Sequence, residues 1–186
     1  MKKLSFLRTL FHVSGAAMPL SYLLYGRTVA LVLALSLFVI LVGADVLRIT
    51  GYLNTGFLRK HLKTEEMKRP TGSLFYMLGC LISILVFGKY EAMASIFVLA
   101  ISDPASSMIG RTWGRRPLAF GKSMEGTGAF LLSALLVLAC FPFTVPAVIG
   151  TACGATAAEL FSARFIDDNL SIPLVTGTVL SFFGFW

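Results

Sequence analysis

The sequence has little charge. Asp, Glu, Lys and Arg make up only 13% of its 186 residues, about half the share in a soluble domain. With 56% hydrophobic residues and a mean hydropathy of +0.82, that shortage excludes an ordinary water-soluble fold. Metal-ligating and redox side chains are also scarce, with two histidines and three cysteines. Cys80, Cys140 and Cys153 each stand alone in an apolar run with no Cys-x-x-Cys spacing, which speaks against a zinc site or a disulfide framework and predicts buried structural thiols. A Ser-His-Asp set, a dinucleotide fingerprint, internal repeats and low-complexity segments are all missing. The "GKS" at 121–123 is not a P-loop, because that motif needs a glycine at 116, where Arg stands, and a preceding strand.

What is present is a succession of uncharged apolar runs. They predict an all-α, polytopic integral membrane bundle of about seven short transmembrane helices. The spans fall at roughly 10–25, 28–44, 71–88, 90–103, 127–142, 146–163 and 170–186, punctuated by Gly26, Gly88 and "FPFTVP" at 141–146. One integral membrane domain is expected over 1–186, with cytoplasmic loops at 45–70, 103–126 and 163–170. The opening "MKKLSFLRTLFHV" carries charge ahead of an apolar run but no small-residue cleavage site, and is expected to be mature sequence.

Charge asymmetry orients the chain. With the N-terminus inside and the C-terminus outside, 14 of the 16 basic residues lie on the cytoplasmic face, and only Arg27 and Lys89 lie outside. Of the nine acids only Glu91 is outside. Topology, anionic lipid and phosphate-bearing substrates account for the net charge of +7 better than nucleic acid does. Span length adds a second constraint. The run from Ala92 to Ser102 has 11 uncharged residues, about 16 Å of helix against a hydrocarbon core of about 30 Å. To cross, it must carry Asp103 and the small residues after it into the membrane. Short helices of this kind open a polar pocket on the cytoplasmic side, and ionisable groups at such depth point to function.

Two clusters carry the chemistry. In "SDPASSMIGRTWGRRPLAFGKSMEGT" (102–127), Gly110, Gly114, Gly121 and Gly126 let the backbone approach an anionic ligand. Arg111, Arg115 and Lys122 supply charge-assisted bonds to phosphates, with Ser123 and Thr127 in the same motif. Asp103 is a hard carboxylate ligand for Mg²⁺, with Ala105, Ser106 and Ser107 leaving room for the ion and its waters. The plainer reading is a basic topogenic loop whose small residues pack helices. In "ELFSARFIDDNLSIPL" (159–174), Glu159, Asp167, Asp168 and Asn169 gather at the last junction. There one aspartate caps the final helix while another binds metal. Weaker candidates are Arg8 with His12, and Glu65 with Arg69, each spaced to share a helical face.

Taken in order, these motifs resemble the CTP-dependent lipid-alcohol kinases: dolichol kinase, phytol kinase and the CTP-using diacylglycerol kinase. The integral membrane cytidylyltransferases share the pattern. The resemblance runs from Arg8, His12 and Gly15 through Glu65 before "RPTGS", is strongest in "DPASSMIGRTWGR" and "GKSMEGT", and ends with Glu159 and "IDDNLSIPL". Thr9 and Pro104 depart from it, standing where these kinases often have Lys and Thr. The resemblance implies transfer of the γ-phosphoryl group of CTP to a long-chain isoprenoid alcohol at the cytoplasmic interface, with a divalent cation, in an integral membrane protein. Asp103 and Asp167 or Asp168 would hold the metal, with Glu159 a further candidate. Lys122 and the arginines would hold phosphates, and Glu125 or Asp168 would orient the hydroxyl. The alternatives are a cytidylyltransferase joining CTP to a lipid phosphate and a small lipid transporter or binding protein, the latter disfavoured by polar groups crowding one face.

Overall fold

The apolar runs fold as helices. The computed structural model describes residues 15–52, 70–165 and 167–183. Among them are α1 (Ala17–Ile49), α2 (Gly72–Val86), α3 (Lys89–Trp113), α4 (Met124–Ala139), α5 (Val145–Phe165) and α6 (Asp168–Phe183), with a 3-10 turn at Ala119–Gly121. Arg8, His12, Glu65 and Arg69 lie outside the described residues. Among the described residues three helices are long and apolar enough to cross a membrane: α1, α3 and Val145–Ser162 of α5. Helices α2 and α4 are apolar but have only 15 and 16 residues, about 22–24 Å.

Apolar side chains lie on both the inside and the outside of the bundle. Leu24 is 70% and Ile40 and Leu136 each 63% exposed, while the interior holds Tyr76, Ile96, Leu99 and Phe130 together with Ala30, Ala34, Ala94, Ala134 and Ala155 and buried Ser83, Ser95, Ser102, Thr151 and Thr176. Small and hydroxyl-bearing residues let helices approach closely in lipid, where burying apolar surface gains nothing. The central helix is α3, with 61% of its most apolar window buried against 17% for α1 and 33% for α5. It packs on α1, α2, α4 and α6.

Gly26 interrupts α1 with φ 83° and ψ 178°, a left-handed position that favours glycine. The break falls at the junction expected between the first two spans. After it, Arg27 donates to the carbonyls of Ile84 (3.1 Å) and Leu85 (2.7 Å), capping the C-terminus of α2. At the other end of α1, Asp45 accepts from the Thr71 N–H at 2.7 Å, ahead of the N-terminus of α2. The two helices therefore run antiparallel, tied at both ends.

Three expectations need correction. Helix α3 does not stop at 103 but continues to Trp113, so much of the loop expected over 103–126 is helical. Pro104 is tolerated inside it; a proline there releases only the carbonyl four residues back. Helix α1 likewise runs past 44 and takes Asp45 and Arg48 into its last turns. All three cysteines are free thiols, yet only Cys80 is buried; Cys140 and Cys153 face outward.

Candidate functional site

The loop between α3 and α4 is folded as a narrow hairpin. Leu118 N–H donates to Lys122 O at 2.8 Å, Lys122 N–H to Ala119 O at 3.2 Å, and Met124 N–H to Arg116 O at 3.0 Å. The chain turns through Phe120 (φ 58°) and Gly121 (φ 76°). A bulky residue in that conformation costs about 1–3 kcal/mol; a ring contact between Phe120 and Phe161 of α5, with centroids 5.7 Å apart, helps to hold it. Ser123 caps α4 by accepting from Gly126 N–H at 3.1 Å. Glu125 reaches back across the loop and accepts from the backbone N–H groups of Arg115 (3.1 Å) and Arg116 (3.3 Å). Hydrogen bonding from its own backbone N–H, then from those of Arg116 and Arg115, holds the Glu125 carboxyl below the usual carboxylate range.

The glycines of the motif serve this packing. A Cβ on Gly126 would press on Ser106 O, Ser123 Oγ and the Gly110 Cα, and one on Gly114 would collide with Gly110 O. Ser106, Gly110 and Gly114 recur every four residues along α3 and meet the start of α4 through Ser123 and Gly126. This is the small-residue contact by which membrane helices approach. The close approach expected for a ligand is, at these three glycines, an approach of protein to protein. Gly121 has open space around it and makes the turn.

The hairpin delivers Lys122 to the bundle. Its Nζ lies 2.5 Å from Glu159 Oε1, and Ser106 Oγ donates to the same oxygen at 3.0 Å. Glu159 is fully buried on α5, whereas the Lys122 side chain is 23% exposed. Glu159 Oε2 is buried with no hydrogen-bond partner among the described residues, as are Ser102 Oγ, Thr127 Oγ1 and Asn169 Oδ1. These are orphaned polar atoms contributed by α3, α4, α5 and α6.

Asp103 lies three residues from Ser106 on α3, and its charge reaches Tyr76 of α2. One turn on from Tyr76, Gly79 packs on Asn169 O at the start of α6. Pro173, four residues beyond Asn169, leaves that carbonyl without its helical donor. Asn169 N–H donates to Asp167 Oδ1 at 3.0 Å and Asp168 Oδ1 at 3.1 Å, and its Nδ2 to Asp167 Oδ1 at 2.7 Å. Asp167 is thus the N-cap expected of this pair. Gly15, the described member of the N-terminal motif, abuts the Tyr76 hydroxyl.

The structure therefore joins Lys122, Glu159 and Ser106 directly, and sets Asp103 and the start of α6 around the same helices. Among the described residues no three His, Cys, Asp or Glu side chains gather as a metal cage. Arg111 folds back onto Ser107 O and Oγ, and Arg115 is exposed. Ser106 as a partner of Glu159, and the Asp45–Arg48–Thr71 cluster, escaped the sequence reading. The four-residue spacing of Ser106, Gly110 and Gly114 was the available signal for the first.

No family model and no solved structure matches the chain. An uncharacterized protein of Rickettsia prowazekii is 32% identical over 182 residues, 90% of this chain and 88% of that protein. The CTP-dependent diacylglycerol kinase 1 of Schizosaccharomyces pombe is 30% identical over 138 residues, 64% of this chain and 63% of the kinase. The phytol kinase of Synechocystis is 34% identical over 119 residues, 55% of this chain and 50% of the kinase. The chain thus spans between half and two thirds of the length of these two kinases. Over 55–64% of its residues the chain is thus similar to the CTP-dependent diacylglycerol kinases and the phytol kinases.

Proposed function

We propose that this protein transfers the γ-phosphoryl group of CTP to the hydroxyl of a membrane-dissolved lipid alcohol on the cytoplasmic side, with a long-chain isoprenoid alcohol as acceptor. The observation that carries the reading is Lys122, a partly open cation paired with the fully buried carboxylate of Glu159 beside Ser106 of α3. Phosphoryl transfer asks for positioning and for neutralisation of charge on the phosphoryl oxygens. Lys122 and Arg115 of the loop, with Arg111 in the last turn of α3, supply the cations. An acceptor with an apolar tail arrives laterally from the bilayer, which short helices around a sunken site permit. Seven crossings, inside to outside, belong with this reading and are supported by the break at Gly26 and the basic residues on one face.

An Mg²⁺ ion suits the donor set, which is all oxygen. Mg²⁺ binds through one or two carboxylates together with substrate phosphates and waters, so no three-carboxylate cage is needed. Asp103 and one of Asp167 or Asp168 would hold it, and it would neutralise charge on the β- and γ-phosphates. Glu125, occupied with the loop backbone, serves this scheme better as a clasp than as the group that orients the hydroxyl. The test is purified protein in detergent with γ-labelled CTP and a panel of dolichol, polyprenol, geranylgeraniol, phytol and diacylglycerol. Labelled phospholipid with CDP as by-product is the expected result. Pyrophosphate release would replace it with the cytidylyltransferase reading, and no turnover with any acceptor would favour transport or lipid binding.

A further inference from the structure

Resting on that reading, we infer that Glu159 is the positioning residue of Lys122, aiming its ammonium at the triphosphate. A carboxylate with no solvent exposure in a membrane bundle has to be paired. The partner here comes from 37 residues away in the chain, off a loop. Both backbone groups of Lys122 are already fixed by the hairpin, through Leu118 N–H to its carbonyl and its own N–H to Ala119 O. The flexible four-carbon stem remains, and Glu159 fixes its end. An ammonium has three donors. One goes to Glu159 Oε1, and no other partner is found among the described residues, while the side chain keeps 23% of its surface open. Lys122 is therefore anchored without being used up, with N–H groups left for phosphate oxygens.

The second partner of the carboxylate supports this role. Ser106 donates to the same Oε1, so the oxygen that faces Lys122 is itself held in place by α3, the helix that carries Asp103. A divalent ion on that oxygen would have to displace the ammonium. The geometry thus couples the cation of the loop to α3, the helix of Asp103, through one carboxylate.

The test compares wild type, K122M, E159Q, the K122M/E159Q double variant and the swapped pair K122E/E159K. Thermal unfolding in detergent monitors the fold, and steady-state kinetics are taken against CTP and lipid. K122M is expected to lower kcat/KM for CTP about 100-fold or more. E159Q should lower it about tenfold, chiefly through KM for CTP, with KM for lipid within twofold of wild type. The double variant should be no worse than K122M, because Glu159 acts through Lys122. The swap should restore the unfolding temperature but not turnover. Losses that multiply in the double variant, E159Q kinetics within twofold of wild type, or a swap that recovers turnover would each overturn the assignment. If E159Q fails to fold, K122M/E159M carries no lone buried charge and is compared with K122M; equal activity supports the coupling and a further loss overturns it. Should wild type release pyrophosphate instead of CDP, the kinase reading fails, while the pattern of KM for CTP across the same variants still decides the role of Glu159.

Discussion

Two ion pairs among the described residues, Asp45–Arg48 and Lys122–Glu159, are built differently. In the first, Asp45 and Arg48 are three residues apart on one helix, with side chains 9% and 4% exposed. Every carboxylate oxygen of Asp45 is used: Oδ1 accepts from Arg48 Nε (3.1 Å) and from a second guanidinium nitrogen (2.9 Å), and Oδ2 from the Thr71 N–H and hydroxyl. In the second, Lys122 and Glu159 come from distant segments, one oxygen of Glu159 has no partner among the described residues, and the lysine stays partly open. The first pair is complete and ties α1 to α2. The second is under-satisfied, at a cost in stability. Completeness, more than burial, separates the pair that ties two helices from the pair proposed to act on the triphosphate.

The largest effect expected from breaking this contrast is on the complete pair. Asp45→Ala removes the acceptor of four hydrogen bonds and should cost about 3–5 kcal/mol, read as a lowered unfolding temperature. Turnover per folded molecule should stay within a factor of about two. The paired change D45L/R48M should recover most of the lost stability, since apolar replacement of a buried pair is often neutral. A large loss of kcat in folded D45A would mean that this cluster also belongs to the chemistry.

Asp103→Asn is expected to show the opposite profile, lowering kcat about 10²–10³-fold with little change in unfolding temperature. Turnover left intact with every acceptor that wild type phosphorylates would remove Asp103 from the metal site. Next in size is Gly126→Val, which pushes side-chain atoms into Ser106 O and the Gly110 Cα. It should destabilise by about 1–3 kcal/mol and raise KM for CTP, because Ser106 and the hairpin shift together.

The smallest effect concerns Glu125. Its folded carboxyl is held below the ordinary value, so the clasp contributes at neutral pH, persists below that ordinary value, and is lost as pH falls through the lowered one. Hydrogen exchange of the Arg115 and Arg116 amides, corrected for intrinsic rates, should show protection at pH 7 that declines several-fold in that acid window. E125Q should show the weakened protection at all pH values. Unchanged protection in E125Q would mean that other contacts order the loop.

Helix class, membrane character and the junction at Gly26 were legible in the sequence, because long apolar runs and interrupted periodicity act locally. The capping role of the Asp167–Asp168–Asn169 segment was legible for the same reason. The end of α3 was not. Pro104 and the polar residues after Asp103 read as a stop, yet α4, α1 and α6 pack around that helix and carry it to Trp113. The role of the motif glycines was misjudged because a glycine demands close approach without saying by what.

By itself, then, the order of residues determined that this chain is a helical membrane protein, since hydrophobic span length needs no partner to be read. Only the tertiary structure decided that Lys122 is anchored by Glu159, that Ser106 steadies the same oxygen, and that Asp45 is spent on holding two helices together. Which buried charge meets which is set by packing between segments tens of residues apart, and no local pattern records that distance.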